Sequence, residues 1–485
     1  MEPYKDLGKS YIDGEWKEGN GNRSFDVLNP FTQKSIFPFQ SASELDIDEA
    51  YTAAEEAQKE WAETPPSQKR NIFDEATRIM KERKDEIIDW ITREMGGTRT
   101  KAALEWGLVL ENIRVASGYP FTMNGEIYPS MIPGKESRMY REPKGVITVI
   151  TPWNFAMTLS MRSVAPALAT GNAVVLKPAE DTPVTGGTLI AKIFEEAGLP
   201  KGLLNVVLGK GSDIGNYLVE HPVSDLVSFT GSTPVGKGIA VRAGERMKDV
   251  SLELGGNNAF IVLDDADVDK AVDAAIFGKF MHQGQICMAI NRILVDKKLV
   301  DEFTKKYVEK ANAINVGDPK DPETELGPVI NRSQAEKINS MIDKAIEEGA
   351  ELLTERKTEG NLIHPVVLTN VTNDMEIAQN EIFGPVATII SFDGDEEAAA
   401  LANDTDLGLS GAVHSGDTER ALNVANHIKT GMIHINDQPV NDDANAVFGG
   451  EKQSGVGRFN GDFVKEKFTT TKWVTVQHKD REYAL

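Results

Sequence analysis

Between residues 146 and 263 the chain alternates short apolar runs with amphipathic segments, and this alternation constrains the fold more than any other feature. The runs cover 146–150, 173–176, 204–208, 225–229 and 259–263, and the spacing predicts helices over 183–197, 234–247 and 267–283. Short buried strands separated by helices imply a parallel sheet covered on both faces. Thr182-Pro183 and Thr233-Pro234 each put an N-cap residue before a proline at the first helical position. Gly198 and Pro200 then close the first of these helices. A second αβ pattern runs from about 291 to 430, and helical periodicity fills 45–63 and 66–95. A chain of 485 residues is too long for one simple core, so two or three domains are expected.

Two stretches stand outside this pattern. Residues 126–145 read as a hairpin around Pro133-Gly134, with Ile127, Tyr128, Met139 and Tyr140 expected at the surface, and 472–478 reads as a short strand. Edge strands of this kind pair with another chain or pack within their own subunit.

Charge and cysteine usage narrow the function. A net charge of −23 lacks the basic footprint that nucleic-acid binding needs. No run reaches the ~18 apolar residues of a membrane helix, so no membrane partner is expected. The N-terminus carries no apolar segment of signal-peptide type. With a single cysteine, Cys287, an internal disulfide and a Cys-based metal site are ruled out, and a reducing, cytoplasmic setting is the simplest reading.

Several short motifs sit where the strands are expected to end. Phe229-Thr230-Gly231-Ser232-Thr233-Pro234-Val235-Gly236 follows a strand and opens a helix, presenting free N–H groups to a phosphate. Taken alone it is equally a ligand-free βα turn. Lys177-Pro178-Ala179-Glu180 ends another strand, where open sheets bind ligands. A glutamate there accepts ribose hydroxyls and repels a 2′-phosphate, although a solvated Lys–Glu pair has the same sequence. Glu253, between two leucines, is either an outward-facing strand residue or a buried carboxylate tuned toward neutrality as a general base. Cys287 falls in a loop after Gly284, which favours reactivity over core packing, with neighbouring amides expected to lower its pKa. Asn154, in Pro152-Trp153-Asn154-Phe155, is a turn residue or an oxyanion donor. Glu381-Ile382-Phe383-Gly384-Pro385 and Phe448–Gly455 each read singly as loops.

Taken together in chain order, from Pro152 to Gly455, these motifs resemble the aldehyde dehydrogenase superfamily. The resemblance implies an α/β fold of three parts: a Rossmann-type NAD-binding domain (1–120 and 146–253), an α/β catalytic domain (254–470) and small β oligomerisation elements (121–145 and 471–485). It implies Cys287 as nucleophile, Glu253 as general base, and Asn154 with the Cys287 N–H as oxyanion hole. Trp153, Lys177, Glu180, Gly231, Ser232, Gly236, Glu381 and Phe383 would hold NAD, with NADP tolerated. A homodimer or homotetramer acting on a small-molecule aldehyde is expected. The chain departs from many members at Ser163 and Phe459, which removes two groups able to relay protons, and at Val447.

The segment 436–442, the stretch 448–459 and Met161-Arg162-Ser163 are similar to benzaldehyde and vanillin dehydrogenases. Phe155, Met157, Arg162, Ile286, Met288 and Phe448 would form the substrate pocket, an apolar slot suited to a planar ring. Arg162 keeps a second reading open, a semialdehyde carrying a carboxylate. A catalytically silent structural relative is a third reading, and it predicts loss of Cys287, Glu253 or Asn154.

Overall fold

The computed structural model describes residues 2–483. Its first sheet has eight strands in the spatial order Glu15–Lys17, Ser10–Ile12, Leu204–Val206, Ala173–Lys177, Val146–Ile150, Leu226–Thr230, Asp249–Glu253 and Gly455–Val456. The central five, from Leu204–Val206 to Asp249–Glu253, are all parallel. Their side chains are buried almost throughout, as expected for a sheet with helices on both faces. The chain lays down Val146–Ile150 first, builds outward on one side, and then crosses to Leu226–Thr230 on the other. The point of reversal therefore falls at the carboxyl end of Val146–Ile150.

A second sheet orders Glu351–Leu352, Val366–Thr369, Val386–Phe392, Ile290–Asp296, Asn258–Val262, Gly411–His414 and His434–Ile435. All its pairings are parallel except that of Glu351–Leu352. Leu254–Asn257 links the two sheets directly, since Glu253 ends a strand of the first and Asn258 begins a strand of the second.

The hairpin and the C-terminal strand pair with each other. Glu126–Tyr128, Lys135–Pro143 and Thr469–Gln477 form a three-stranded antiparallel sheet with Trp473 opposite Met139. Ile127, Tyr128 and Tyr140 are exposed as expected, whereas Met139 is half-buried. Residue 1 of the first expected domain and residues 484–485 of the expected oligomerisation element lie outside the described residues.

Helix boundaries differ from the sequence expectation where a distant residue intervenes. The helix expected over 183–197 begins as a π-helical turn, Val184–Thr188, before the α-helix Leu189–Glu196. The cap is not Thr182. The buried carboxylate of Glu94 accepts hydrogen bonds from the Val184 and Thr185 N–H groups at 2.8 and 2.7 Å. The next helix is Thr233–Glu245, with Ser232 rather than Thr233 at the N-cap position. The helix expected over 267–283 is Val268–Phe280, capped by Asp267. It stops short because His282, Gln283 and Gly284 all adopt positive φ (48°, 57° and 69°), a left-handed bend that directs the chain into the Cys287 loop.

Candidate active site

Four neighbouring strands of the first sheet end in the residues singled out by sequence. Trp153 and Asn154 follow Val146–Ile150, Lys177 ends Ala173–Lys177, Gly231 and Ser232 follow Leu226–Thr230, and Glu253 ends Asp249–Glu253. Parallel strands expose unpaired backbone groups at this edge, and the crossing of the chain opens a crevice there.

The cofactor candidates form a track across the edge. Buried Lys177 places its Nζ 3.4 Å from Glu180 Oε2, and burial lowers the pKa of the ammonium. The Gly231 N–H donates to the Glu253 carbonyl at 3.0 Å, and a Cβ at Gly231 would overlap the Phe229 ring. A Cβ at Gly236 would overlap the Leu254 side chain, so this glycine lets the first turn of Thr233–Glu245 lie against the linker between the sheets. Beyond the linker, Trp153 and Phe383 meet edge to face at 5.3 Å. Glu381 accepts the Gly256 N–H at 3.1 Å, and a Cβ at Gly255 would come within 2.6 Å of its carboxylate. Burial raises the Glu381 pKa to about 7.

Cys287 arrives from the second sheet, just ahead of Ile290–Asp296, with its carbonyl held by Asn258 Nδ2 at 2.8 Å. It shares a cavity of about 240 Å³ with Asn154, Phe155, Arg162, Ile286, Met288 and Phe448. Asn154 Nδ2 donates one hydrogen to the Gln285 carbonyl at 2.9 Å, which fixes the amide while its second N–H stays available. Glu253 is buried, and among the described residues neither carboxylate oxygen has a hydrogen-bond partner. Burial raises its pKa to about 8, opposed by Arg162 and Arg458 and reinforced by Asp442.

Two expectations are corrected here. Met157 does not line the cavity; it is fully buried in the core, and Thr158 and Leu159 take the lining positions. The Cys287 thiol is not acidified but pushed up to about 12, first by burial and then by the negative charge of Glu381, with Arg162 only partly opposing. A thiol in such surroundings needs a base before it can attack.

The wall also contains residues that sequence reasoning missed. Leu104 and Leu108 come from the N-terminal helix Arg99–Ala116, Phe277 from Val268–Phe280, and Val440, Asn441 and Asp442 from the late loop. Asp442 matters most, because it forms a buried ion pair with Arg162. The Arg162 guanidinium also lies 4.0 Å over the Phe448 ring. The segment containing Asp442 was noted for its resemblance, but nothing local connects it to Arg162. At the departures from the family pattern, Ser163 bonds Ser228 at 2.9 Å, and Phe459 is a core residue whose backbone pairs with Phe448.

Residues 16–474 match the aldehyde dehydrogenase family. The chain belongs to that family. It is 50% identical over 483 residues to the benzaldehyde dehydrogenase YfmT of Bacillus subtilis, covering 100% of both chains. It is also 50% identical over 474 residues to a vanillin dehydrogenase of Corynebacterium glutamicum, covering 97% of this chain and 98% of that one. Among solved structures, betaine aldehyde dehydrogenase from Staphylococcus aureus in complex with NAD+ superposes with a TM-score of 0.95 at 36% identity, covering 98% of this chain and 96% of that one. This chain therefore has the α/β aldehyde dehydrogenase fold that its motifs implied.

Proposed function

We propose that this enzyme oxidises an aromatic aldehyde of the benzaldehyde or vanillin type to the carboxylic acid, with NAD as the hydride acceptor. The carrying observation is the Cys287 cavity. Phe155, Ile286, Met288 and Phe448 make its walls apolar, and Asp442 already neutralises its one cation, Arg162. A planar ring suits such a slot. A semialdehyde carboxylate would meet Arg162 with its charge already balanced by Asp442, which weakens that reading although Arg162 Nε and Nη1 make no hydrogen bond among the described residues.

The residues divide the chemistry between them. Glu253, with a pKa near 8, takes the proton from the Cys287 thiol. The thiolate sulfur then bonds to the aldehyde carbon, giving a thiohemiacetal whose oxygen receives the free N–H of Asn154 and the Cys287 N–H. NAD, when bound, supplies the acceptor for the hydride that leaves this carbon. Glu253, once it has released that proton to solvent, deprotonates a water for attack on the thioester, which releases the acid and returns the thiolate.

The cofactor reading is supported by Gly231 and Gly255, which let the backbone pass close to the Phe229 ring and the Glu381 carboxylate, and by Lys177 and Glu180 at a strand end. Glu180 accepts ribose hydroxyls and disfavours a 2′-phosphate, so NADP is tolerated at lower efficiency. Trp153, Ser232, Gly236, Glu381 and Phe383 complete the same track. The three larger sheets support a division into 1–120 with 146–253, 254–470, and 121–145 with 471–485, with Gly455–Val456 reaching back to the first sheet and the C-terminal strand beginning at Thr469. Exposed Ile127 and Trp473 on the small sheet support a homodimer or homotetramer, and the single cysteine supports a cytoplasmic setting. The test is nicotinamide reduction with benzaldehyde, vanillin, succinic semialdehyde and hexanal, each with NAD and NADP. Highest kcat/KM for the two aromatic aldehydes with NAD is expected; a preference for succinic semialdehyde would overturn the substrate reading.

A further inference from the structure

Behind Asn154 and Phe155, on the side away from the cavity, lies a second polar cluster that the reaction above does not use. Lys101 and Glu105, one turn apart on Arg99–Ala116, form an ion pair in which both side chains have 0% exposure. Complete burial of two charges is costly, and an apolar pair of similar volume is often as stable, so stability alone does not account for this arrangement. The other oxygen of Glu105 faces the start of Ala156–Ala169. It accepts the Met157 N–H at 3.0 Å and the Thr158 N–H at 3.3 Å. That helix has no cap of its own: Phe155 occupies the N-cap position and makes no side-chain bond there. Lys101 Nζ sits 4.2 Å over the Phe155 ring, and the His282 ring meets the same ring edge to face at 5.6 Å. The backbone carrying the oxyanion amide is thus gripped on both sides of Phe155. The gripping helix also sends Leu104 and Leu108 into the cavity wall.

We infer that Glu105, charge-compensated by Lys101, is a positioning residue for the oxyanion donor Asn154, acting as a helix cap supplied from a neighbouring helix. The inference rests on the oxyanion role proposed for Asn154. The capping bonds fix the first turn of Ala156–Ala169, and Asn154 is two residues upstream of that turn. If they are lost, the amide drifts relative to Cys287, and a displacement of about 1 Å at a reacting centre costs on the order of 100-fold in rate. Cofactor binding and thiol reactivity do not depend on these bonds.

The experiment compares hydride transfer in single turnovers at saturating benzaldehyde and NAD, alkylation of Cys287 by iodoacetamide, and NAD affinity. The variants are Glu105→Asp, Glu105→Gln, the apolar pair Lys101→Met with Glu105→Leu, and Asn154→Ala. Glu105→Asp, which shortens the reach while keeping the charge, and the apolar pair should each slow hydride transfer about 10- to 100-fold. Alkylation and NAD affinity should stay within about threefold, and Glu105→Gln, which keeps the acceptor oxygen, should recover at least about a third of the wild-type rate. Glu105→Asp serves if the apolar pair does not fold. Wild-type hydride transfer in Glu105→Asp, or a loss matched in alkylation and NAD affinity, overturns the inference. Full activity in Asn154→Ala would instead overturn the oxyanion reading beneath it.

Discussion

Arg162 and Asp442 lie 280 residues apart in the chain and form a buried ion pair in the wall of the cavity that contains Cys287. The second oxygen of Asp442 accepts Asn460 Nδ2 at 3.0 Å, so the carboxylate is fully engaged. The pair turns the one strong cation of the pocket into a neutral unit and keeps the slot suited to uncharged rings. Asp442→Asn removes that compensation. We expect kcat/KM for succinic semialdehyde, relative to benzaldehyde, to rise about tenfold, as measured by steady-state nicotinamide reduction. An unchanged ratio would mean that Arg162 does not face the substrate.

The buried carboxyl of Glu253 sets a pH dependence with a definite sign. Its pKa, raised by burial to about 8, leaves only about a tenth of the base ionised at pH 7, so kcat limited by thioester hydrolysis should climb about tenfold to a plateau above pH 9. The stability effect runs the other way. Protonation of Glu253 favours the folded state, and that contribution is lost as pH rises through about 8. Thermal denaturation of Glu253→Gln should therefore fall less steeply between pH 7 and 9 than that of the wild type. Comparing the two proteins cancels Glu381 and Glu94, which titrate near 7 in both.

Gly236 offers a packing test. Gly236→Ala drives a methyl group into Leu254 at the linker between the sheets, an overpacking cost of about 1–3 kcal/mol. A lower Tm and weaker NAD binding are expected, with partial recovery when Leu254→Ala is added. If the double variant is no better than the single one, the glycine serves something other than this contact.

Much of this was legible in the sequence because it is local. Strand and helix alternation through 146–253 is visible as the first sheet, whereas the run at 259–263, which continues the same pattern, belongs to the second; short motifs at the strand ends point to Asn154, Lys177, Gly231 and Glu253. What escaped depends on phase or on distant partners. Phe155, Thr158, Leu159 and Arg162 recur at helical spacing on the cavity face, and Met157 falls on the opposite side. Phe155 and Met157, both expected in the pocket, are two positions apart and so fall on different faces of the helical turn. Asp442 and Glu94 act on groups far away in sequence, Arg162 and the Val184 turn, and a local pattern carries no trace of such pairings. The Cys287 thiol was expected to be acidified by nearby amides, but burial outweighs them, an effect that depends on how tightly the two sheets close over the loop.

The most direct test is intact-protein mass spectrometry after acid quenching of enzyme mixed with NAD and benzaldehyde. Wild-type enzyme quenched in turnover should carry a benzoyl group on Cys287, Glu253→Gln, which lacks the base that ionises the thiol, should form that adduct about 100-fold more slowly, and Cys287→Ala should carry none while still binding NAD. Benzoate formation by Cys287→Ala, or wild-type turnover without any acyl adduct on Cys287, would contradict the mechanism.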